Sequence, residues 1–269
     1  MISLAIAIFI GLAAGLGCYF GDVVGYGWSI FFGVLGFGAC QFGIGFFLQR
    51  KVKAGMESVQ RILANGQKQL QAKMQRWQMK PPGSLQAAQM EIERDQRVFV
   101  RAALDAVEPL HRFDRWVPMM RRQIATAQFQ LHWMLKEWKK VDELMPKALF
   151  LDPVASSMKL ARYQMLDRPL DEMEKIYAKA VRRLRYNQNV LLAATWSWIL
   201  VRRGEHDRAF RALNAALKNS DDATLKANRD ALANNRPQQF SNSGIGDQWY
   251  ALQLEEPRMR QRRQRMQWR

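Results

Sequence analysis

The side chains that could carry out acid–base, nucleophilic or metal chemistry are few in this sequence and lie far apart. The 269 residues include three histidines and two cysteines, Cys18 and Cys40, so neither a metal site nor a disulfide framework can be assembled from them. Glu205, His206 and Asp207 are adjacent, but they fall in a predicted turn between helices, where packing accounts for them. The sequence also lacks a glycine-rich phosphate loop and a nucleophile elbow. We therefore expect no enzymatic activity, no metal and no cofactor.

Cationic side chains are the main polar groups available for recognition. The formal net charge is +17, from 41 Lys and Arg against 24 Asp and Glu. The groups that we expect to bind anions are Arg50, Lys51 and Lys53 after the second uncharged stretch, and Arg258, Arg260, Arg262, Arg263 and Arg265 near the C-terminus. Such groups bind anionic surfaces, which include lipid headgroups, nucleic acid and acidic protein faces. For the C-terminal group three interpretations stay open: a solvated basic end, a site for lipid or an acidic partner, and an RNA site with Trp268 as its aromatic residue.

Two long uncharged stretches near the N-terminus predict membrane-spanning helices. Residues 2–21 and 26–48 each match the roughly 20 residues that a helix needs to cross the hydrocarbon core. Small residues recur at four-residue steps, at Ala7, Gly11 and Gly15, and favour close packing of two helices. A cleaved signal peptide is the alternative for the first stretch, but no basic residue precedes it. Because Lys and Arg follow the second stretch and none lies between the two, the positive-inside rule places both termini in the cytoplasm, at an inner membrane.

A basic amphipathic helix is predicted over residues 50–79, directly after the second span. Its apolar residues recur at alternating steps of about four and three, which is nearly a heptad seam. This seam allows two arrangements, a coiled-coil homodimer or packing onto the rest of the chain. The basic residues of the opposite face would hold the domain near an anionic membrane surface. They are Arg61, Lys68, Lys73 and Arg76. The proline pair that begins at Pro81 then ends the helix.

Three helix-turn-helix patterns follow one another in the second half of the chain. The clearest, in residues 190–223, has the large and small pair Trp196 and Ser197 on its first helix, a turn glycine, and small or apolar residues on its second. Residues 154–187 form a weaker copy, and residues 137–153 form the second helix of another. These patterns resemble the tetratricopeptide repeat (TPR), whose unit of about 34 residues places such residues at these positions.

The TPR resemblance implies a function and a binding surface. TPR domains bind other proteins, and residues of their first helices line a concave groove that holds a peptide. Carried over by position, the groove residues of this chain are Gln130, Trp133, Arg162, Trp198, Val201 and Arg202. Their mixture of Trp, apolar and Arg side chains suits apolar anchors together with a carboxylate or a carbonyl group. The implied partner is therefore a segment of another protein.

The sequence as a whole predicts an all-α protein with four parts. These are a transmembrane helical hairpin (1–49), a basic amphipathic stalk helix and linker (50–83), a TPR-like α-solenoid that ends in a polar capping helix (84–236), and a C-terminal segment with an Arg-rich tail (237–269). The last part loses the helical period but contains large apolar residues such as Trp249 and Leu252, so we expect an ordered peptide laid over the last repeats. The expected function is that of a membrane-anchored scaffold or adaptor, which binds protein partners on the cytoplasmic side and supports complex assembly. The alternative is a membrane tether for RNA, ribosomes or anionic lipid.

Overall fold

Apolar residues at helical periods produce helices in both halves of the chain. The computed structural model describes residues 2–20, 25–79, 84–114, 116 and 119–256. This described part contains α-helices and short 3-10 turns and no β-strand, which confirms the predicted all-α class. The chain forms two compact units, Met1–Leu149 and Phe150–Arg269. The first predicted repeat therefore belongs to the first unit, whereas the sequence analysis grouped it with the later repeats.

The first unit contains five α-helices and one 3-10 turn among its described residues. They are α1 (Ile2–Phe20), α2 (Tyr26–Met79), α3 (Leu85–Val107), the 3-10 turn Glu108–Phe113, α4 (Met120–Met134) and α5 (Trp138–Leu144). The second predicted span and the predicted stalk form one continuous helix, α2, because no proline interrupts that part of the chain.

Glycines allow α1 and α2 to pack closely against each other. A Cβ atom added at Gly11 would lie 2.8 Å from Phe37 Cβ and 2.9 Å from the carbonyl oxygen of Gly33. A Cβ atom added at Gly33 would lie 3.1 Å from the carbonyl oxygen of Gly11. Ala7, on the same line of small residues, is fully buried. The small residues at four-residue steps therefore serve the packing of this helical hairpin itself.

The apolar seam of the predicted stalk is buried inside the chain. Val52 and Val59 are 6% and 5% exposed, and they share a core cluster with Val100 and Val107 of α3. Of the two arrangements that the seam allows, the chain thus adopts packing onto its own later residues. A homodimer through the same seam would have to displace α3.

Two glycines of α2 set the register of the α2–α3 pair. A Cβ atom at Gly55 would overlap the side chain of Leu110, and one at Gly66 would overlap the ring of Phe99. Gly55 and Gly66 are eleven residues apart, and so are Phe99 and Leu110, so the chain runs back along α2 at constant register. The segment after α3 therefore lies beside the part of α2 that directly follows its apolar half.

Lys73 of α2 is held by α3. Its Nζ atom lies 2.5 Å from Asp95 Oδ2 and 2.5 Å from Glu91 Oε1. The hydrogen bonds to Asp95 and Glu91 raise the pKa of Lys73 above its usual 10.5. The sequence analysis placed Lys73 on a basic surface that faces lipid. That expectation is wrong for this residue, because its ammonium group is paired with two carboxylates of α3.

The second unit contains six α-helices and two 3-10 turns among its described residues. They are α6 (Pro153–Met165), α7 (Leu170–Val181), α8 (Val190–Arg202), α9 (His206–Leu217), α10 (Ala223–Ala233), the 3-10 turns Pro237–Gln239 and Ser243–Ile245, and α11 (Asp247–Tyr250). α6 and α8 pack side by side, and α9 packs against both α8 and α10. The predicted capping helix is thus present as α10, with Asp222 as its N-cap.

The three helix pairs, α4–α5, α6–α7 and α8–α9, close with the same backbone turn. A residue in the left-handed region follows the first helix of each pair, at Lys136 (φ 57°), Asp167 (φ 54°) and Gly204 (φ 79°). The N–H group of the next residue donates to the carbonyl group five residues before it, at 3.1, 3.0 and 2.9 Å in the three pairs. This is the hydrogen bond of a Schellman motif, which ends a helix and turns the chain. The pairs therefore share one turn geometry, although only the third has a glycine.

Candidate peptide-binding groove

The six predicted groove residues are divided between the two units. Four lie in the second unit: Arg162, Trp198, Val201 and Arg202. In the first unit Gln130 is partly exposed, whereas Trp133 is fully buried. The Trp133 ring packs edge to face on Trp138, with ring centres 5.2 Å apart. Trp133 therefore stabilises the core of the α4–α5 pair and does not lie at a surface.

The C-terminal end of α8 forms the surface that the sequence analysis named. Most of α8 is apolar and buried, but its last residues differ from one another in exposure. Trp198 is 8% exposed, Val201 is partly exposed, and the Arg202 side chain is 60% exposed. The Arg202 guanidinium lies over the Trp198 ring, 5.0 Å from its centre. Arg162 is partly exposed on α6, which packs beside α8. We call this surface the α8 groove.

The α8 groove is occupied by the C-terminal segment of the chain itself. Trp249 and Leu252 are fully buried, and the Trp249 ring packs edge to face on Trp198, with ring centres 5.8 Å apart. Three further large residues of the segment are partly buried: Phe240, Tyr250 and Leu254. The prediction that this segment is ordered and packs on the preceding helices is thereby confirmed, because these aromatic and aliphatic side chains need burial.

One carboxylate holds the end of this segment. Glu255 Oε1 accepts a hydrogen bond from Trp198 Nε1 at 2.8 Å, and Glu255 Oε2 accepts one from Trp249 Nε1 at 2.9 Å. The Arg202 guanidinium lies 3.5 Å from Glu255 Oε1. We call the arrangement of Trp198, Arg202, Trp249 and Glu255 the Glu255 clamp. It satisfies the N–H groups of two buried indoles with a single side chain.

Two buried asparagines fix the start of the segment independently of the clamp. Asn242 Nδ2 donates to the carbonyl oxygen of Ala194 on α8 at 3.0 Å, and Asn242 Oδ1 accepts from Asn228 Nδ2 on α10 at 2.8 Å. Asn228 Oδ1 accepts the N–H group of Ser241 at 2.9 Å. Between this anchor and the clamp lies Gly246, with φ 75° and ψ −143°, a conformation that glycine adopts readily. The segment thus has a fixed start, a glycine, and an end that is held separately.

The arrangement is chemically a site for a carboxylate that follows apolar side chains. The sequence analysis expected the groove residues to suit apolar anchors together with a carboxylate or a carbonyl group of a partner, and the group that lies at Trp198 and Arg202 is the Glu255 carboxylate. Neither Glu255 nor Trp249 was named as a site residue. A compositional signal existed, because residues 237–256 contain no Lys or Arg in a chain whose net charge is +17.

Only part of the predicted anion-binding set is described. Arg50, Lys51 and Lys53 are exposed on α2 just beyond Leu48. Lys53 Nζ lies 4.0 Å from Glu57 Oε1, in an exposed pair that contributes little free energy. The C-terminal members of the set lie outside the described residues: Arg258, Arg260, Arg262, Arg263 and Arg265.

A cleft of about 470 Å³ lies between α7, α8 and α9. Tyr177 stacks on Trp196 in its wall, with ring centres 5.5 Å apart and an interplanar angle of 21°. Burial raises the pKa of Tyr177 to about 12. At the rim, Arg208 Nη2 donates to Glu174 Oε2 at 2.9 Å. The cleft is therefore bounded by an aromatic stack and a paired charge.

Among residues 2–20, 25–79, 84–114, 116 and 119–256, no three His, Cys, Asp or Glu side chains converge as a metal site would require. Comparison of the chain with protein-family models, with characterised proteins and with solved structures gave no match. The function is therefore inferred from the helices and from the α8 groove.

Proposed function

We propose that the protein is a membrane-anchored scaffold of the TPR type, which binds segments of partner proteins in the α8 groove. One observation carries this proposal: Trp198 and Arg202, two of the α8 residues that the repeat pattern assigns to peptide binding, hold the chain's own C-terminal segment. Trp198 and Arg202 supply an apolar face, an N–H donor and a cation. A partner segment with an aromatic residue and a carboxylate would find the same groups.

The helix pairs support the repeat part of the proposal. Three successive pairs end their first helix with a left-handed residue and the same hydrogen bond, and a polar helix follows the last pair. Repetition of one helix-turn-helix unit, closed by a polar terminal helix, is typical of solenoids that present a groove to partners.

The composition of α1 and of the first half of α2 supports the membrane part. Both are long and apolar enough to cross a membrane. Phe9, Phe20 and Phe42 are 73%, 80% and 78% exposed, so the outward face of the hairpin is strongly apolar. Arg50 and Lys51 follow directly, and by the positive-inside rule they support a cytoplasmic location for the later helices, at an inner membrane.

Photocrosslinking in native membranes tests the groove. A photoreactive residue at Val201, next to Arg202, is introduced into the otherwise unchanged chain, into Glu255→Ala and into Arg202→Glu. We expect a protein adduct whose yield rises in Glu255→Ala, because the segment is held less firmly, and falls in Arg202→Glu, because the cation becomes an acid. A probe at Arg94, exposed on α3, is the control for proximity alone. Equal adduct yields in the two variants would refute binding in the groove.

The tether function is tested in the same preparation. A probe at Trp268 that recovers RNA, together with no protein adduct from position 201, would replace the scaffold with the tether. Contacts with phosphate weaken steeply as salt is raised, because bound counterions are released, whereas apolar groove contacts persist. Recovery of the adducts at low and high salt therefore separates the two functions.

A further inference from the structure

After α3, the chain returns to the end of the second predicted span. Leu110 and Phe113 of the 3-10 turn, together with Met120 at the start of α4, are buried in one core cluster. The same cluster contains Leu48, the last residue of the apolar half of α2. The turn and the start of α4 therefore share one core with the end of the apolar half of α2, and Leu110 of the turn contacts α2 at Gly55.

The start of α1 lies at this point as well. Ser3 Oγ donates to the carbonyl oxygen of Trp116 at 2.6 Å, and Ser3 is 5% exposed. Because α1 and α2 form an antiparallel hairpin, the start of the first span and the end of the second face the same side. We call the described residues 108–114, 116 and 119–123 the membrane-proximal corner.

The corner exposes cations and one large apolar side chain. Arg112, Arg121 and Arg122 are exposed, and Met119 is 46% exposed. The Arg112 guanidinium lies 4.7 Å from the centre of the Phe113 ring. Arg50, Lys51 and Lys53 of the same unit are also exposed, just beyond the apolar half of α2. The carboxylates nearest to these cations along the chain are Glu57, Glu108 and Asp114, and Asp114 Oδ2 lies 3.0 Å from His111 Nδ1.

Distance along α2 separates these cations from the other basic residues of the first unit. Gly55, which contacts Leu110, lies seven residues beyond Leu48, about 10 Å along the helix axis. Gly66, which contacts Phe99, lies about 27 Å along the axis. Charges are screened over about 8–10 Å at physiological salt, so the corner lies within reach of a membrane surface at Leu48 and the middle of α3 does not.

We propose that the membrane-proximal corner binds the anionic headgroups of the membrane that α1 and α2 cross. Arg112, Arg121 and Arg122 contact lipid phosphates beside Arg50 and Lys51, and Met119 enters the interface. This inference rests on the membrane insertion proposed above. It gives the first unit a second attachment to the bilayer, at a surface that sequence periodicity does not reveal. It also adds the corner to Arg50, Lys51 and Lys53, which the sequence analysis named for anion binding, and it does not require the distal stalk residues Arg61, Lys68 and Arg76.

The test places a polarity-sensitive fluorophore on a cysteine at position 119 of the full chain, with Cys18 and Cys40 replaced by serine. The protein is reconstituted into vesicles of phosphatidylcholine alone, or with about one third phosphatidylglycerol. A neutral aqueous quencher reports the accessibility of the fluorophore. We expect quenching to be about five-fold slower in the anionic vesicles, and this difference to disappear at high salt.

Two triple variants that each remove three positive charges test whether the corner, and not α3, binds the headgroups. Arg112→Gln, Arg121→Gln and Arg122→Gln together should abolish the difference between the two lipids. Arg94→Gln, Arg97→Gln and Arg101→Gln, which neutralise three exposed arginines of α3, should leave it unchanged. Equal quenching of the unchanged protein in both lipids would overturn the proposal. An equal loss of the lipid-dependent difference in the two triple variants would overturn it as well.

Alkaline carbonate extraction of the same vesicles keeps this proposal distinct from the membrane insertion on which it rests. A chain that is extracted refutes the insertion, and with it the basis of the corner. A chain that stays in the membrane while position 119 is equally quenched in both lipids refutes the corner alone.

Discussion

Replacing Glu255 by alanine should loosen the C-terminal segment without unfolding the second unit. The carboxylate links the segment to α8 through the Trp198 and Trp249 indoles, while the Asn242 anchor and the helix core of the unit do not depend on it. The expected effect is therefore a local opening of residues 247–256 beyond the glycine at position 246. Such openings have their own free energies, which lie below the free energy of global unfolding.

The size of the effect follows from the two indole donors. Trp198 and Trp249 are 8% and 0% exposed, and a buried donor without an acceptor costs about 1–3 kcal/mol. The Glu255 side chain is 31% exposed and that of Arg202 is 60% exposed, so water offsets part of the loss and the ion pair adds little. We expect Glu255→Ala to lower the free energy of opening by about 2 kcal/mol, which is roughly a thirty-fold change in the opening equilibrium.

Amide hydrogen exchange of the full-length protein in detergent micelles measures this opening. In Glu255→Ala, the exchange rate in residues 247–256 should rise roughly thirty-fold, while the exchange rate in the middle of α8 stays unchanged. Glu255→Gln should have about half the effect, because its carbonyl oxygen still accepts one indole N–H but its amide group faces the other. Glu256→Ala is the matched control, since Glu256 is the adjacent carboxylate and is exposed.

Two results would contradict the clamp. One is equal exchange in Glu255→Ala and Glu256→Ala. The other is strict additivity of Trp198→Phe and Glu255→Ala, because two partners in one hydrogen bond should show a coupling free energy of about 1 kcal/mol.

Three further predictions concern packing, turns and pH. Gly66→Ala should lower stability in chemical denaturation by about 1–3 kcal/mol, because the added Cβ overlaps the Phe99 ring. Lys136→Gly should raise the free energy of unfolding and Gly204→Ala should lower it, each by about 1 kcal/mol, since both residues have positive φ. Burial raises the pKa of Tyr177 to about 12 from its usual 10.0, so the folded state retains a proton that the unfolded chain loses. The associated stability, roughly 2–3 kcal/mol, is complete below pH 10 and falls as the pH rises to about 12, and Tyr177→Phe should remove this fall in pH-dependent unfolding.

The paired helices from α4 to α9 were predictable because their signals are local. Apolar residues of α8 and α9 recur at helical steps, and Gly204 marks the turn between them. The corresponding turns at Lys136 and Asp167 were harder to predict, because the sequence does not show that a residue other than glycine adopts a positive φ. The helical periods nevertheless predicted the positions of the helix pairs, because the free energy gained by burying an apolar face outweighs the strain at one turn residue.

The partners of the helices were not predictable, because periodicity shows which face is apolar and not what covers it. The apolar seam of α2 allowed either a dimer or packing within the chain. Gly66 interrupts this seam, and its role becomes clear only in the structure, where the Phe99 ring fills the space beside it. Ser3 and Trp116 are separated by 113 residues, and no local pattern connects them. Lys73 was assigned to a lipid surface for the same reason, since Asp95 lies on another helix.

Under the proposed scaffold function, charge determines which partner segments the α8 groove accepts. Residues 237–256 contain three acids, Asp247, Glu255 and Glu256, and no Lys or Arg. A segment that replaces them must bring an acceptor for Trp198 Nε1 and a negative charge for Arg202, with apolar residues at spacings like those of Trp249, Leu252 and Glu255. A basic segment would leave the buried donor unsatisfied and would repel Arg202. Because the chain's own segment is tethered, its effective concentration is in the range of millimolar for short linkers. A partner must therefore bind the groove more tightly than the tethered segment does, or bind while the clamp is open, and its apparent affinity falls by the fraction of molecules that are open.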